Sequence, residues 1–354
     1  MDFAGNIHCL LRDCFYSETK YKQNGYLLIQ FNKLPSAASQ QIEARDRLKQ
    51  MKSFSAPSVS PVQAGPPCTH QQLDIRPQPP LGVRFYGSRR SDRAGAALPL
   101  VVHFHGGAFV GGSLESGACI ARLLADAGAV VMSLDYPLAP SHPFPQALQA
   151  GYAALVWAWK ARRKLAGKGA PVFVAGEEAG GNLAAAVTLM ARDQQAPALA
   201  GQILLSPMLD ACMATASLRG AEAGPVGCAW ADGWHDYLSR LDEAGHPYAA
   251  PGAAMRLASL PPTLLLTAQD DPFRDEALAY ARRLRSAGRV VHGAVLPGPT
   301  GWPGSYSQPA NHEAAWAPAV QQQFKRFFRD LSGGGASGEA ANGLFSSSTP
   351  VSGS

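Results

Sequence analysis

The sequence predicts an α/β fold, with a mostly parallel central sheet flanked by helices, on two observations. Six short and almost wholly apolar runs recur between residues 100 and 295, and helix-compatible stretches separate most of them. Strands buried on both faces need such continuous apolar runs, and their alternation with helices argues for βαβ crossovers. The 354-residue chain is 46% apolar, which supplies a sizeable core, and its 36 Gly and 28 Pro suit a fold with many tight turns.

The expected strands are 100–104, 129–134, 171–175, 203–206, 263–267 and 290–295. Helices are expected over 147–164, 181–193 and 274–287, the last stopped by Gly288, with another over 314–328. Residues 1–52 read as an N-terminal cap segment, 53–69 as a Ser/Pro-rich linker, and 70–330 as the main domain. A cap insertion is expected at about 209–251, and the Gly/Ser-rich 331–354 is expected to be a disordered tail.

Composition narrows the function. The net charge is +5, but the basic residues are scattered, densest at Arg89-Arg90, Arg162-Arg163-Lys164 and Arg282-Arg283. None alternates with aromatics, so no nucleic-acid partner is expected. No run of 18 apolar residues occurs, so no membrane span is expected. The six cysteines are far apart without a Cys-x-x-Cys, and the N-terminus lacks the basic and apolar regions of a secretory leader. A reduced, cytoplasmic setting is the expectation.

Chemistry concentrates at the ends of the strands. The third run leads into Gly176-Glu177-Glu178-Ala179-Gly180-Gly181 and then an Ala-rich helix. Glycine two residues before and two after a polar side chain, between strand and helix, is the pattern of a nucleophile elbow. Upstream, His105-Gly106-Gly107-Ala108-Phe109 follows the first strand, where backbone N–H groups can form an oxyanion hole. Downstream, Asp271-Pro272-Phe273-Arg274-Asp275-Glu276 and Pro299-Thr300-Gly301-Trp302 follow two later strands, where an acid and a histidine would sit.

These blocks resemble the hormone-sensitive-lipase family of α/β-hydrolase esterases over about residues 70–330. His105-Gly106-Gly107-Ala108 looks like that family's His-Gly-Gly-Gly, and Asp135-Tyr136-Pro137-Leu138-Ala139-Pro140 like its Asp-Tyr-Arg-Leu-Ala-Pro. Ser206-Pro207 with Asp210, Leu260-Pro261-Pro262 and the Asp271 block match as well. The resemblance implies an α/β-hydrolase fold with a helical cap. It also implies an ester pocket bounded by Phe109, Trp230, Trp234 and Trp302, and no cofactor.

Two positions depart from the family. Its elbow reads Gly-Asp-Ser-Ala-Gly-Gly, so Glu178 stands where the nucleophilic serine is expected. Its histidine lies in Pro-His-Gly-Phe, so Thr300 stands at the histidine position, and Asp271 alone keeps the acid position. A carboxylate nucleophile needs a histidine to activate the releasing water, which Thr300 cannot do. Glu178 is expected instead to fill the oxyanion loop, facing the N–H groups of Gly106, Gly107, Ala108 and Ala179. At a helix N-terminus it is expected to stay ionised below the usual value of about 4.3. His312, twelve residues past Thr300, is the candidate substitute base, or else an exposed residue ahead of the last helix. His103 and His105 lack further ligands for a metal, so none is expected.

Three readings follow. The first is a degenerate esterase relative that binds a small apolar or acyl ligand, or a partner. The second is an ester hydrolase that uses His312. The third is a structural interaction protein with a collapsed pocket.

Overall fold

The computed structural model describes residues 68–87, 97–220 and 224–332, all within the unit Pro66–Ser354. The expected N-terminal cap, the linker up to residue 67 and the tail from residue 333 lie outside the described residues.

The order of elements is β1 (Thr69–Leu73), β2 (Leu81–Tyr86), β3 (Leu100–Phe104), α1 (Ala118–Asp126), β4 (Val130–Asp135), α2 (Gln146–Leu165), β5 (Val172–Glu177), α3 (Ala179–Asp193) and β6 (Gly201–Leu205). A cap segment with α4 (Ala216–Arg219) and α5 (Gly224–Tyr237) precedes β7 (Thr263–Ala268), α6 (Arg274–Ser286), β8 (Val291–Leu296) and α7 (Ala317–Ser332). The strands form one sheet in the order β1-β2-β4-β3-β5-β6-β7-β8. β1, β2 and β4 pair antiparallel, and every pair from β4 through β8 is parallel.

All six expected strands are present within two residues of their expected bounds. The antiparallel β1 and β2 and the helix α1 are additions, and α4 and α5 fall inside the expected cap at about 209–251. The last helix runs from Ala317 to Ser332, later than expected at both ends, after a 3₁₀ turn at Pro309–Glu313. Residues 331 and 332, expected in the tail, are the last two of α7.

The sheet from β2 to β7 is buried on both faces, which explains its apolar runs. Along β5, Val172 and Val174 enter one core with α2, α3 and α6, while Phe173 and Ala175 enter the other with α1 and α7. Burying a Val or Phe stabilises by about 1.5–3 kcal/mol each, so a strand of this kind is held from both sides. Trp157 and Trp159 on α2 pack against the first core, and the Arg162 guanidinium lies 3.8 Å above the Trp159 ring. Small residues let α3 sit almost wholly buried between β5 and α2, carrying the elbow at its N-terminus. Among the described residues, no helix is long and apolar enough to cross a membrane.

Candidate active site

The elbow forms where β5 turns into α3. Glu178 adopts φ +54°, ψ −118°, a left-handed conformation that side chains rarely take, and its carbonyl accepts from the amides of Asn182 (3.2 Å) and Met208 (3.0 Å). A Cβ on Gly176 would collide with the Gly180 carbonyl, and one on Gly180 with the Phe104 carbonyl of β3. The turn is that tight, which is why glycine flanks it on both sides.

The Glu178 side chain lies on the loop after β3. Its Oε2 accepts from the Gly107 amide and, at 3.4 Å, from the Ala108 amide. Its Oε1 accepts from the indole Nε1 of Trp230 on α5 at 2.5 Å. Gly106 contributes space, since a Cβ there would stand 2.6 Å from Oε2. The third donor is thus Trp230, in the role expected of Ala179.

The expected low pKa is also corrected. Burial pushes the Glu178 carboxyl above its usual value, and the nearby Glu177 charge adds to the rise. The bonds from Gly107, Trp230 and Ala108 pull it down without overcoming the lost hydration. Glu177 itself is paired: its Oε2 lies 2.8 Å from Nε2 of His103, whose Nδ1 is 2.9 Å from the Ser133 hydroxyl, all fully buried.

Asp271 follows β7, and its carboxylate is already engaged. Oδ2 accepts from Ser206 Oγ and Thr267 Oγ1, both at 2.5 Å, and Oδ1 from the Phe273 amide at 2.9 Å. Burial raises its pKa despite these bonds. Thr300 does not join it. The Thr300 hydroxyl donates to Asp270 Oδ1 at 2.9 Å and its amide to Asp270 Oδ2 at 2.7 Å, beside the Gly301 amide at 2.9 Å. Asp270 is the clamp of that loop, and these bonds hold its pKa below the usual value although partial burial opposes them.

His312 sits in the 3₁₀ turn ahead of α7, partly buried. Its Nδ1 is 3.0 Å from the Pro309 carbonyl and its Nε2 is 3.8 Å from Glu313. Both ring nitrogens face their own turn, so the structure does not bring His312 to Glu178.

The pocket aromatics divide. Phe109 stacks on Tyr237 at 4.0 Å and lies 4.9 Å from Trp234, while Trp230 meets Phe273 edge-on at 4.6 Å. Trp302 instead packs with Tyr306 and Trp316, each 5.3 Å away, in the core that β5 shares with α1 and α7. The expectation that it bounds the same pocket is corrected. Sequence reasoning also passed over the Trp230 donor and the Ser206 hydroxyl. Ser206 carried a signal, since it directly follows the C-terminal end of β6, where parallel sheets place their chemistry. Among the described residues no three His, Cys, Asp or Glu side chains converge as metal ligands.

Known proteins share this fold. Residues 101–300 match the family model described as alpha/beta hydrolase fold. Carboxylesterase NlhH of Mycobacterium tuberculosis is 36% identical over 220 residues, 56% of this chain and 67% of that one. A gibberellin receptor of Arabidopsis thaliana is 32% identical over 211 residues, 56% of this chain and 60% of that one. The solved hyperthermophilic esterase from the archaeon Pyrobaculum calidifontis aligns with a TM-score of 0.64 at 32% identity, covering 81% of this chain and 92% of that one. By the family model and these relatives, this chain belongs to the α/β-hydrolase family, in its hormone-sensitive-lipase-like carboxylesterase branch.

Proposed function

We propose that this chain uses the esterase frame to bind a small apolar or acyl ligand at the former ester site, without hydrolysing it. The observation that supports this is the Glu178 carboxyl seated on the Gly107 and Ala108 amides. An ester hydrolase needs those donors empty, because they stabilise the oxyanion that develops in the transition state. It also needs a base in contact with the nucleophile. Glu178 contacts two amides and an indole, none of which accepts a proton near neutral pH.

One relative is named as a gibberellin receptor, so a binding role has company within this family. Phe109, Trp230 and Trp234 would offer the apolar wall of the site. Cys68 and Cys119 are free thiols, which suits a cytoplasmic setting.

Two measurements test the reading. With p-nitrophenyl acetate and butyrate, hydrolysis should stay within about 10³–10⁴ of the uncatalysed rate, the level that binding and donors alone provide. A turnover of roughly 1–10³ s⁻¹ would overturn it. In thermal melts, a short-chain acyl or apolar compound at about 100 times its Kd should add about 2.7 kcal/mol of stability. A panel of such compounds giving no shift sinks the binding half of the proposal.

A further inference from the structure

Donors from two distant parts of the chain meet at one carboxyl. Glu178 Oε2 accepts from the Gly107 amide and, at 3.4 Å, from the Ala108 amide, both on the loop after β3. Oε1 accepts at 2.5 Å from the indole of Trp230 on α5. Among the described residues no Lys or Arg pairs with Glu178, so these donors are neutral. Glu178 is buried, and hydrogen bonds to a charged acceptor are the strong kind. The cluster is therefore fitted to the two oxygens of a carboxylate.

The surroundings are shaped to deliver that carboxylate. Glu178 holds φ +54°, ψ −118°, a conformation that glycine adopts without steric cost and a residue with a Cβ does not. Its side chain passes Gly106, where a Cβ would stand 2.6 Å from Oε2 and 3.2 Å from the Glu178 Cβ. Glycine at 106 thus leaves the room that the carboxyl fills.

We propose that Glu178 is a tethered occupant of a carboxylate seat, so that the ligand taken at the former ester site is neutral, an ester, amide or alcohol, and free carboxylic acids are turned away. This rests on reading that site as a binding site. An entering acid would find the Gly107, Ala108 and Trp230 donors taken, and it would stand beside a buried like charge. A neutral acyl group meets no such repulsion. Once vacated, the seat should take the acid whose atoms were removed. Glu178→Gly removes the atoms of one propionate, and Glu178→Ala those of one acetate.

The test is rescue in thermal melts at pH 8, at constant ionic strength set with chloride, on variants checked for folding by circular dichroism. In Glu178→Gly, sodium propionate at ten times its Kd should raise the melting temperature by about 3–6 °C, a roughly tenfold gain in the folding constant. Propionamide should give no such rise. In Glu178→Ala, acetate should do better than propionate, which is one methylene too long for the space. Adding Trp230→Phe to Glu178→Gly should weaken propionate about tenfold or more, the worth of a donor to a charged acceptor. The parent should respond to butyramide and not to butyrate. Propionate acting no better than propionamide on Glu178→Gly, or as well in the absence of the Trp230 indole, overturns the seat. If neither truncated variant folds, the parent decides, and butyrate stabilising it as well as butyramide refutes the proposal. A parent stabilised by no neutral compound sinks the binding reading, and the neutral-ligand clause with it, while the rescue judges the seat alone.

Discussion

Replacing Glu178 by glutamine keeps the shape of the side chain but turns one acceptor oxygen into a donor. In the native site both oxygens accept, Oε2 from Gly107 and Ala108 and Oε1 from Trp230. The amide nitrogen must then face an N–H group, and facing the single indole forfeits fewer bonds than facing the loop. An unsatisfied buried donor costs about 1–3 kcal/mol. Glu178→Gln also removes a carboxylate that burial disfavours, so the single variant mixes a loss with a gain. A double-mutant cycle with Trp230→Phe separates them. Trp230→Phe alone takes a donor from a charged acceptor, worth about 1.5–3 kcal/mol. In the combined variant the amide opposes no indole, while the effect of removing the charge is common to both backgrounds. The combined loss should fall short of the summed single losses by about 1–3 kcal/mol. Urea unfolding of the four proteins at pH 7 reads this from midpoints at constant m. In melting temperature each kcal/mol is about 2–4 °C for a domain of this order of size. Strictly additive losses would refute the bond between Trp230 and Glu178.

Two further outcomes are expected. Glu276 is buried with its Oε1 accepting from the Leu209 and Asp210 amides, and burial pushes its carboxyl up to about 8. The native state then holds a proton that the unfolded chain releases above about 4.3, so stability should fall between pH 4.3 and 8 by up to about 1.4 kcal/mol per pH unit. Glu276→Gln should flatten that dependence in urea midpoints at pH 5, 7 and 9, and an unchanged slope would exclude Glu276 as its source. Gly180→Ala should cost at least the 1–3 kcal/mol typical of overpacking, about 2–12 °C in melting temperature, because its Cβ meets the Phe104 carbonyl. A variant melting with the parent would mean that the elbow does not press on β3.

The parts of the fold that sequence reasoning finds are those whose burial is complete. β3 through β7 are short, mostly apolar runs because both faces are covered, while β8 at the edge is mostly half-buried. β1 is Thr69-His70-Gln71-Gln72-Leu73, an exposed edge strand with a single buried residue, and its pairing with β2 has no local signature. α5 carries Pro and three glycines, which hide a helix. Its buried Trp230, Trp234 and Tyr237 at i, i+4 and i+7 are the signal that could have revealed it. In the site, the glycine spacing announces the elbow and the loop, because backbone contact leaves no choice of residue. Side-chain pairing across loops has no such trace. Nothing local says that Thr300 faces Asp270 instead of Asp271, or that Ser206 donates to Asp271. The raised Glu178 pKa is likewise a matter of depth, since the same helix N-terminus at the surface would favour the ion.

The buried carboxyls around the elbow bear on whether serine alone could revive hydrolysis. Glu177, Glu178, Asp271 and Glu276 are all buried at the C-terminal edge of the sheet. Among the described residues none of them forms an ion pair with Lys or Arg, and only Glu177 has an ionisable partner, in His103. Asp271 and Glu276 rely on hydroxyls and amides, and burial raises the pKa of both. A tetrahedral oxyanion forming on Gly107 and Ala108 would add negative charge to this surrounding, with only neutral donors to meet it. In a working triad the imidazolium formed during attack supplies the compensating positive charge beside the oxyanion. A lone serine at 178 would free the donors and still generate an uncompensated anion among carboxyls. The missing imidazole is therefore an electrostatic loss as well as the loss of a base, and a histidine must return with the serine for the loop to act as an oxyanion hole again.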